Sequence, residues 1–326
     1  MRHCALLLLL LAPGEAARPS HSRAALAAAA RAAPRSGPGA EEARRALQLP
    51  TAAARRLQGL PPSIVSVTSF GANGDGVFDN TAAFTAAIAA VAAGGVVWVP
   101  SGQWSFAGTL ALTPGVSLVG TFQTVPSHNI GQHGSAPVNG SVLLPRAGRG
   151  DINGTAFLSM PEDTTLRGFT IFYPEVNATA TPVPYPWTIA MKGNNIAVQD
   201  VELLNSFNGI SAVGAHRHYI SRVQGQPANT GIFVDQTYDI GRIEDVHWNP
   251  WFTDAPAYIA YQQTFGTGFL IARSDWEYVL NTFVFSMAIG YRFVDSAEGS
   301  CNGNFVGIGA DCKFQVQQQP YTLTHT

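Results

Sequence analysis

The sequence predicts an all-β protein built as a parallel β-helix, a solenoid of coils roughly 22 residues long. Three observations predict it. Like residues recur at one period in two registers. Gly209-Ile210 and Gly231-Ile232 stand 22 apart, as do Gly268-Phe269 and Gly290-Tyr291, while Val201, Val223 and Val246 are spaced by 22 and 23. The chain carries 33 Gly and 21 Pro, and its repeats are rich in Gly, Asn and β-branched residues, which favours short strands and turns over a helical solenoid. Of its 326 residues 46% are hydrophobic and only 12% charged, enough for a large core and too little charge for a disordered or coiled-coil chain. The net charge of −2 excludes a general nucleic-acid footprint.

The chain opens with Met1-Arg2-His3, an apolar run from Cys4 to Ala12, and small residues at Gly14 and Ala16. Residues 1–16 therefore read as a secretory signal peptide, and no segment reads as a membrane span. Residues 17–62 are an Ala/Arg/Pro-rich linker, a composition that also suits an organelle transit segment. Sequons at Asn139, Asn153 and Asn177 agree with secretion and glycosylation. Cys301 and Cys312, in an oxidising compartment, are a candidate disulfide.

The ordered domain is expected over 63–326. Ile64-Val65-Ser66-Val67 reads as a strand, and Phe70 to Val77 as a turn-rich segment. A helix follows, capped by Asp79 or Asn80, with Phe84, Ile88 and Val91 on one face. Gly94-Gly95 ends it, and Val96-Val97-Trp98-Val99 forms a strand stopped by Pro100. Two insertions, 173–187 and 250–267, read as groove-lining loops. The chain ends without an obvious closing cap, so the β-helix reads as cut short at its C-terminus.

Phe70-Gly71-Ala72-Asn73-Gly74-Asp75-Gly76-Val77-Phe78-Asp79-Asn80-Thr81, the helix, and then Gly94-Gly95-Val96-Val97-Trp98-Val99-Pro100-Ser101-Gly102 resemble the opening of the pectate-lyase superfamily. That superfamily includes rhamnogalacturonases, polygalacturonases and phage tailspikes. The resemblance implies a right-handed β-helix and a polysaccharide partner. It does not carry over a catalytic set. The polygalacturonase type has an Asp-Asp pair, a Gly-His-Gly and an Arg-Ile-Lys. This chain has no Asp-Asp, its Gly-Gln132-His133-Gly and Gly214-Ala215-His216 differ, and Arg242-Ile243 is followed by Glu244.

The period itself nominates a site. If Val201, Val223 and Val246 point inward, their neighbours point outward. Stacking then builds an Asp200–Arg222–Asp245 ladder beside a Glu202–Gln224–His247 ladder. Asp245, Asp200, Arg222, Glu202 and His247 are the candidate catalytic residues. A lyase needs a base and a cation beside a uronate carboxylate, with Asp200 and Asp245 as candidate calcium ligands and Arg222 as clamp or base. A glycoside hydrolase needs two carboxyl groups flanking the bond. The same ladders also serve as plain ion pairs on a sheet face.

Two dense segments, 243–254 and 273–278, supply candidate substrate-binding residues: Trp251, Glu244, Asp254, Arg273, Asp275 and Glu277. Parity with Val246 sends Trp248 inward, while Trp251 sits at a loop start. His216 and His218 flank Arg217 and share a strand face by alternation, a conceivable zinc pair without an identifiable third ligand. His128 and His133 read as solvent contacts. The leading expectation is an extracellular lyase or glycosidase acting on an acidic, pectin-like polysaccharide. The alternative is a non-catalytic carbohydrate-binding or cell-wall β-helix.

Overall fold

The computed structural model describes residues 63–122, 139–176 and 181–323. All lie in one compact unit, Pro61–Thr326. The signal peptide, the linker, Asn177, His128 and His133 fall outside the described residues.

The chain forms a right-handed parallel β-helix, the hand expected where crossovers join parallel strands. Each coil contributes one strand to an eight-stranded sheet and one to a branched twelve-stranded sheet. The smaller sheet stacks, among others, Trp187–Met191, Asn208–Val213, Thr230–Asp235, Thr267–Ile271 and Ile289–Ser296. The larger stacks Thr165–Phe172, Ala197–Leu204, Tyr219–Gly225, Thr237–Trp248, Ser274–Phe285 and Cys301–Asp311. Both sequence registers are real. Val201 pairs with Val223 and Val223 with Val246, and all three are buried. Ile210 pairs with Ile232, Ile232 with Phe269, and Phe269 with Tyr291.

The larger sheet is two faces joined at a bend. Thr165–Phe172 pairs through its first half with Val116–Val119 and through its second with Ser141–Pro145. Between the halves sits Gly168 with φ 84°. In later coils the same joint is Asp200, Arg222, Asp245, Asn281 and Gly307, every one at positive φ. A second left-handed column, Asp163, Asn195, Arg217 and Asp239, begins the same strands. Asp, Asn and Gly enter this conformation most readily. Arg217 and Arg222 are held there by ion pairs to Asp239 and Asp200.

The recurring glycines have a steric cause. A Cβ on Gly209 would lie 2.4 Å from the Gly231 carbonyl oxygen, and one on Gly231 would lie 2.4 Å from that of Gly268. Coils at strand spacing leave no room for a side chain pointing along this column.

The opening segment closes the N-terminal end of the core. The α-helix Thr81–Ala90 buries Phe84 and Ile88, and Val91 follows them. Phe84 meets Trp104 and Phe106 edge-on at ring separations of 5.8 and 4.9 Å. Asp79, not Asn80, supplies the cap: its carboxylate accepts from the Thr81 backbone N–H and hydroxyl. Asn80 is buried instead and its amide ties the Asn73 and Phe78 carbonyls. The insertion after Trp248 contains a helix, Pro256–Phe265.

Cys301 and Cys312 are not bonded. Cys301 starts the extended strand Cys301–Asp311 and Cys312 follows its end, so roughly 30 Å of strand separates them, far beyond disulfide reach. His216 and His218 do not share a strand face, which corrects the alternation expected for them. The left-handed Arg217 between them breaks the alternation, leaving His216 half-buried and His218 enclosed.

Gly231→Ala is expected to destabilise by more than about 3 kcal/mol, because the new methyl meets the Gly268 carbonyl and the Trp248 indole. Val306→Ala on the exposed last coil is expected to change stability by no more than about 0.5 kcal/mol. Urea unfolding followed by circular dichroism measures both.

Candidate functional site

The expected ladder exists and is longer than its three predicted members. Arg167 Nε donates to Asp200 Oδ2 at 2.9 Å, and Arg222 donates to the same carboxylate from Nε at 2.6 Å and Nη2 at 2.8 Å. One coil further, Asn281 Nδ2 donates to Asp245 Oδ1 at 2.5 Å. Charge therefore alternates Arg167, Asp200, Arg222, Asp245 along the bend. Left-handed backbone carries Asp200, Arg222 and Asp245, while Arg167 reaches Asp200 from the residue before Gly168.

That geometry makes Asp200 a structural carboxylate. It is 4% exposed, and burial pushes its pKa up, but the hydrogen bonds and charges of Arg222 and Arg167 outweigh this and hold it below the ordinary carboxylate range. A group so held is a poor proton donor near neutral pH, and its oxygens are occupied by guanidinium rather than open to calcium. Arg222 is in turn pushed up, first by its hydrogen bond to Asp200, so it is unsuited to act as a base. Glu202 is 1% exposed and accepts from Thr170 Oγ1 and Gln224 Nε2, both at 3.0 Å. Among the described residues no group of three His, Cys, Asp or Glu side chains is placed to hold a metal ion.

Asp245 and His247, like Arg222, are half-buried, whereas Asp200 and Glu202 are buried. His247 packs edge-on against Phe283, 5.4 Å between ring centres, and the two line a hollow of about 420 Å³ with Asn281, Gly307 and Gly309. Glu244 accepts from the Tyr219 hydroxyl, a bond that raises the tyrosine pKa. Trp251 is 38% exposed on its loop and meets Phe285 edge-on. Asp254 is exposed beyond it, while Trp248 fills the interior as parity required.

The second dense segment divides. Arg273 pairs with Asp275 at the surface and lies over the Tyr238 ring. Glu277 is 0% exposed and bonded to His218 and Ser274. It therefore does not touch a ligand, which corrects its expected substrate-binding role.

A different face carries an open groove. On the eight-stranded sheet one outward row runs Ser159, Ala190, Ser211, Phe233, Leu270 and Arg292. Trp187, on the strand of Ala190, stacks with Phe233 at 6.2 Å between rings and 22° between planes. The start of this row, Ser159 and Ala190, lies in a groove of about 730 Å³ whose walls include Glu162, Lys192, Asn194 and His216. Strand Ala215–His216 pairs with Gly193–Asn194 to build one wall. The Tyr238 backbone N–H donates to His216 Nδ1 at 3.0 Å, so a neutral His216 carries its proton on Nε2. The groove thus offers cationic and neutral donors and an acceptor carboxylate, and the flat Trp187–Phe233 pair lies on the same sheet, outside the groove lining.

None of these groove residues was singled out as part of a ligand face from sequence. The signal was present: each outward residue follows the inward member of the Gly-Ile, Gly-Phe or Gly-Tyr register. Applying the neighbour argument to that second register names Ser211, Phe233, Leu270 and Arg292 directly.

A family model described as rhamnogalacturonase A/epimerase, pectate lyase-like, matches residues 64–219. No curated protein matches the chain significantly. The N-terminal fragment of bacteriophage phi29 gene product 12 superposes with a TM-score of 0.53 and 17% identity, over 82% of this chain and 44% of that one. A double-mutant tailspike protein of E. coli bacteriophage HK620, in complex with a pentasaccharide, gives a TM-score of 0.51 and 10% identity over 82% and 47%. This chain thus spans less than half the length of either phage protein. At such identities the likeness is one of fold.

Asp200→Asn is expected to cost about 1–2 kcal/mol at pH 7, since it strips the charge partner from two partly exposed guanidinium groups. The folded pKa of Asp200 is depressed, so its contribution is present above the unfolded value of about 4 and lost as pH falls through the folded value. Urea unfolding of wild type and variant at pH 7, 4 and 2.5 should show the gap closing on the acid side.

Proposed function

Since a pectate-lyase-like family model matches residues 64–219 and the chain folds as a parallel β-helix, we propose that it belongs to the pectate-lyase-like superfamily and binds an extended polysaccharide along the outer face of its eight-stranded sheet. The single observation that carries this reading is the Trp187–Phe233 pair, since Phe233 belongs to the row whose first members, Ser159 and Ala190, lie in the 730 Å³ groove. Aromatic faces suit the C–H faces of sugar rings, and polar groups beside them fix orientation. Lys192, His216, Asn194 and Glu162 supply those groups toward hydroxyl and carboxylate oxygens. The pentasaccharide in the HK620 tailspike complex supports a carbohydrate partner for this fold. An extracellular setting belongs to the same reading. It is supported by the leader-like start and by the exposure of Asn139 and Asn153.

A second reading is cleavage of an acidic, pectin-like polysaccharide by elimination or hydrolysis at Asp245 and His247. The hollow that His247 borders favours it. Against it, the neighbouring Asp200 is held ionised and enclosed by two guanidinium groups, leaving no matched acid and base along the ladder.

One experiment addresses both. The full chain, Trp187→Ala and Asp245→Ala are run by affinity electrophoresis through acidic and neutral polysaccharides, with and without calcium. The same mixtures are read for reducing ends and for absorbance of unsaturated sugars. Trp187→Ala is expected to weaken retention about tenfold, the loss of one stacking contact, while Asp245→Ala leaves it unchanged. Equal retention of wild type and Trp187→Ala would sink the sheet-face reading. Products that vanish in Asp245→Ala would establish the second, with absorbance marking a lyase and reducing ends alone a hydrolase.

A further inference from the structure

His218 and Glu277 are both fully enclosed, and neither contributes directly to the groove. They stand two coils apart and meet across Gly241. A Cβ at that position would lie 2.3 Å from Glu277 Oε2 and 2.5 Å from His218 Cε1, so the contact exists because residue 241 is glycine. His218 Nε2 is 2.9 Å from Glu277 Oε1, and Ser274 Oγ donates to Glu277 Oε2 at 2.9 Å. His218 Nδ1 is 2.8 Å from the carbonyl oxygen of Ala215.

Each ring nitrogen therefore faces an acceptor. A neutral imidazole has one N–H and an imidazolium has two. With Glu277 ionised, only the imidazolium donates to both the carboxylate and the carbonyl. Deprotonation leaves one enclosed nitrogen lone pair against an oxygen, with no water to relieve it.

Ala215 precedes His216 in the short strand that forms the groove wall with Gly193–Asn194. Holding the Ala215 carbonyl holds that wall. The Thr237 hydroxyl, 3.4 Å from the same carbonyl, is a weak second tie.

We propose that His218 is a positioning residue for the groove: its imidazolium, paired with Glu277, clamps the Ala215–His216 wall, and loss of its proton loosens the wall and weakens polysaccharide binding. This inference rests on the groove being the binding site. Burial disfavours the charged ring, but the charge and hydrogen bond of Glu277, with the Ala215 carbonyl, outweigh it and raise the His218 pKa above the ordinary histidine value. Arg242 acts against the charge from the neighbouring coil. The Cys301 thiol, near Glu277, is pushed above its own ordinary range by burial and by that carboxylate, which keeps it neutral at and below neutral pH. Because the folded pKa of His218 is raised, the clamp is fully present below the unfolded value of about 6.5. It is lost as pH rises through the folded value.

The test uses the full chain with 15N-labelled histidine. At pH 6.5 both His218 ring nitrogens are expected to carry protons. As pH is raised through its titration, the ring should become neutral, and the backbone amides of Ala215 and His216 should shift with the same midpoint. Retention on the polysaccharide that the groove binds should fall with that midpoint too. Glu277→Gln should move the midpoint down by about one pH unit or more. A single protonated nitrogen at every pH, or wall amides that ignore the His218 titration, overturns the clamp. Wall amides that titrate while retention stays flat overturn its control of binding. The wild-type titration needs no variant, so it decides even if Glu277→Gln fails to fold. If no polysaccharide is retained at any pH, the binding reading fails and the proposed control of it falls, while the spectra still judge the clamp.

Discussion

Everything on the outer surface depends on one backbone constraint, the left-handed residue at which each long strand turns. At that joint the strand passes from one face of the β-helix to the next without a loop. The turn consumes a single residue, so inward rows on both sides stay in register from coil to coil. A conformation that most side chains adopt at a cost of roughly 1–2 kcal/mol is thereby repeated along a column. Gly168, Asn281 and Gly307 meet it by residue type. Arg222 meets it through its paired hydrogen bonds to Asp200.

The same constraint separates scaffold from surface chemistry. Side chains at the joint are stacked so closely that unlike charges must alternate or the column would repel itself. Asp200, Arg222 and Asp245 obey that order at the joint, where Arg222 and the adjacent Arg167 bind Asp200 and Asn281 binds Asp245. Ladder carboxylates that look catalytic in sequence are thus drawn into holding the coil stack. The eight-stranded sheet lacks such a column on its outer row. Small residues, Ser159, Ala190 and Ser211, lie there beside Trp187 and Phe233, leaving space over the row. Space and flat rings are what a glycan chain requires.

Much of the fold was legible because a solenoid writes its geometry as a period. Val201, Val223 and Val246 could be aligned by counting, and the glycines of the second register by the same count. The side chain of Trp248 followed from parity alone. Alternation failed wherever a left-handed residue intervened. Arg217 does this between His216 and His218, sending one ring to the groove wall and the other into the interior. Nothing local in an arginine announces that conformation. The half-site at Glu277 failed for a different reason: its burial depends on His218, 59 residues away, and on the gap left by Gly241.

The sequence by itself determined the coil length, the inward rows, the capping helix and the existence of an outward Asp–Arg–Asp column, because each follows from local residue type and fixed spacing. Only the tertiary structure decided which outward groups are spent on one another and which remain open to a ligand. Ion pairing, enclosure and the width of a groove are properties of neighbouring coils taken together, and a periodic sequence fixes who the neighbours are without fixing how their side chains divide the space between them.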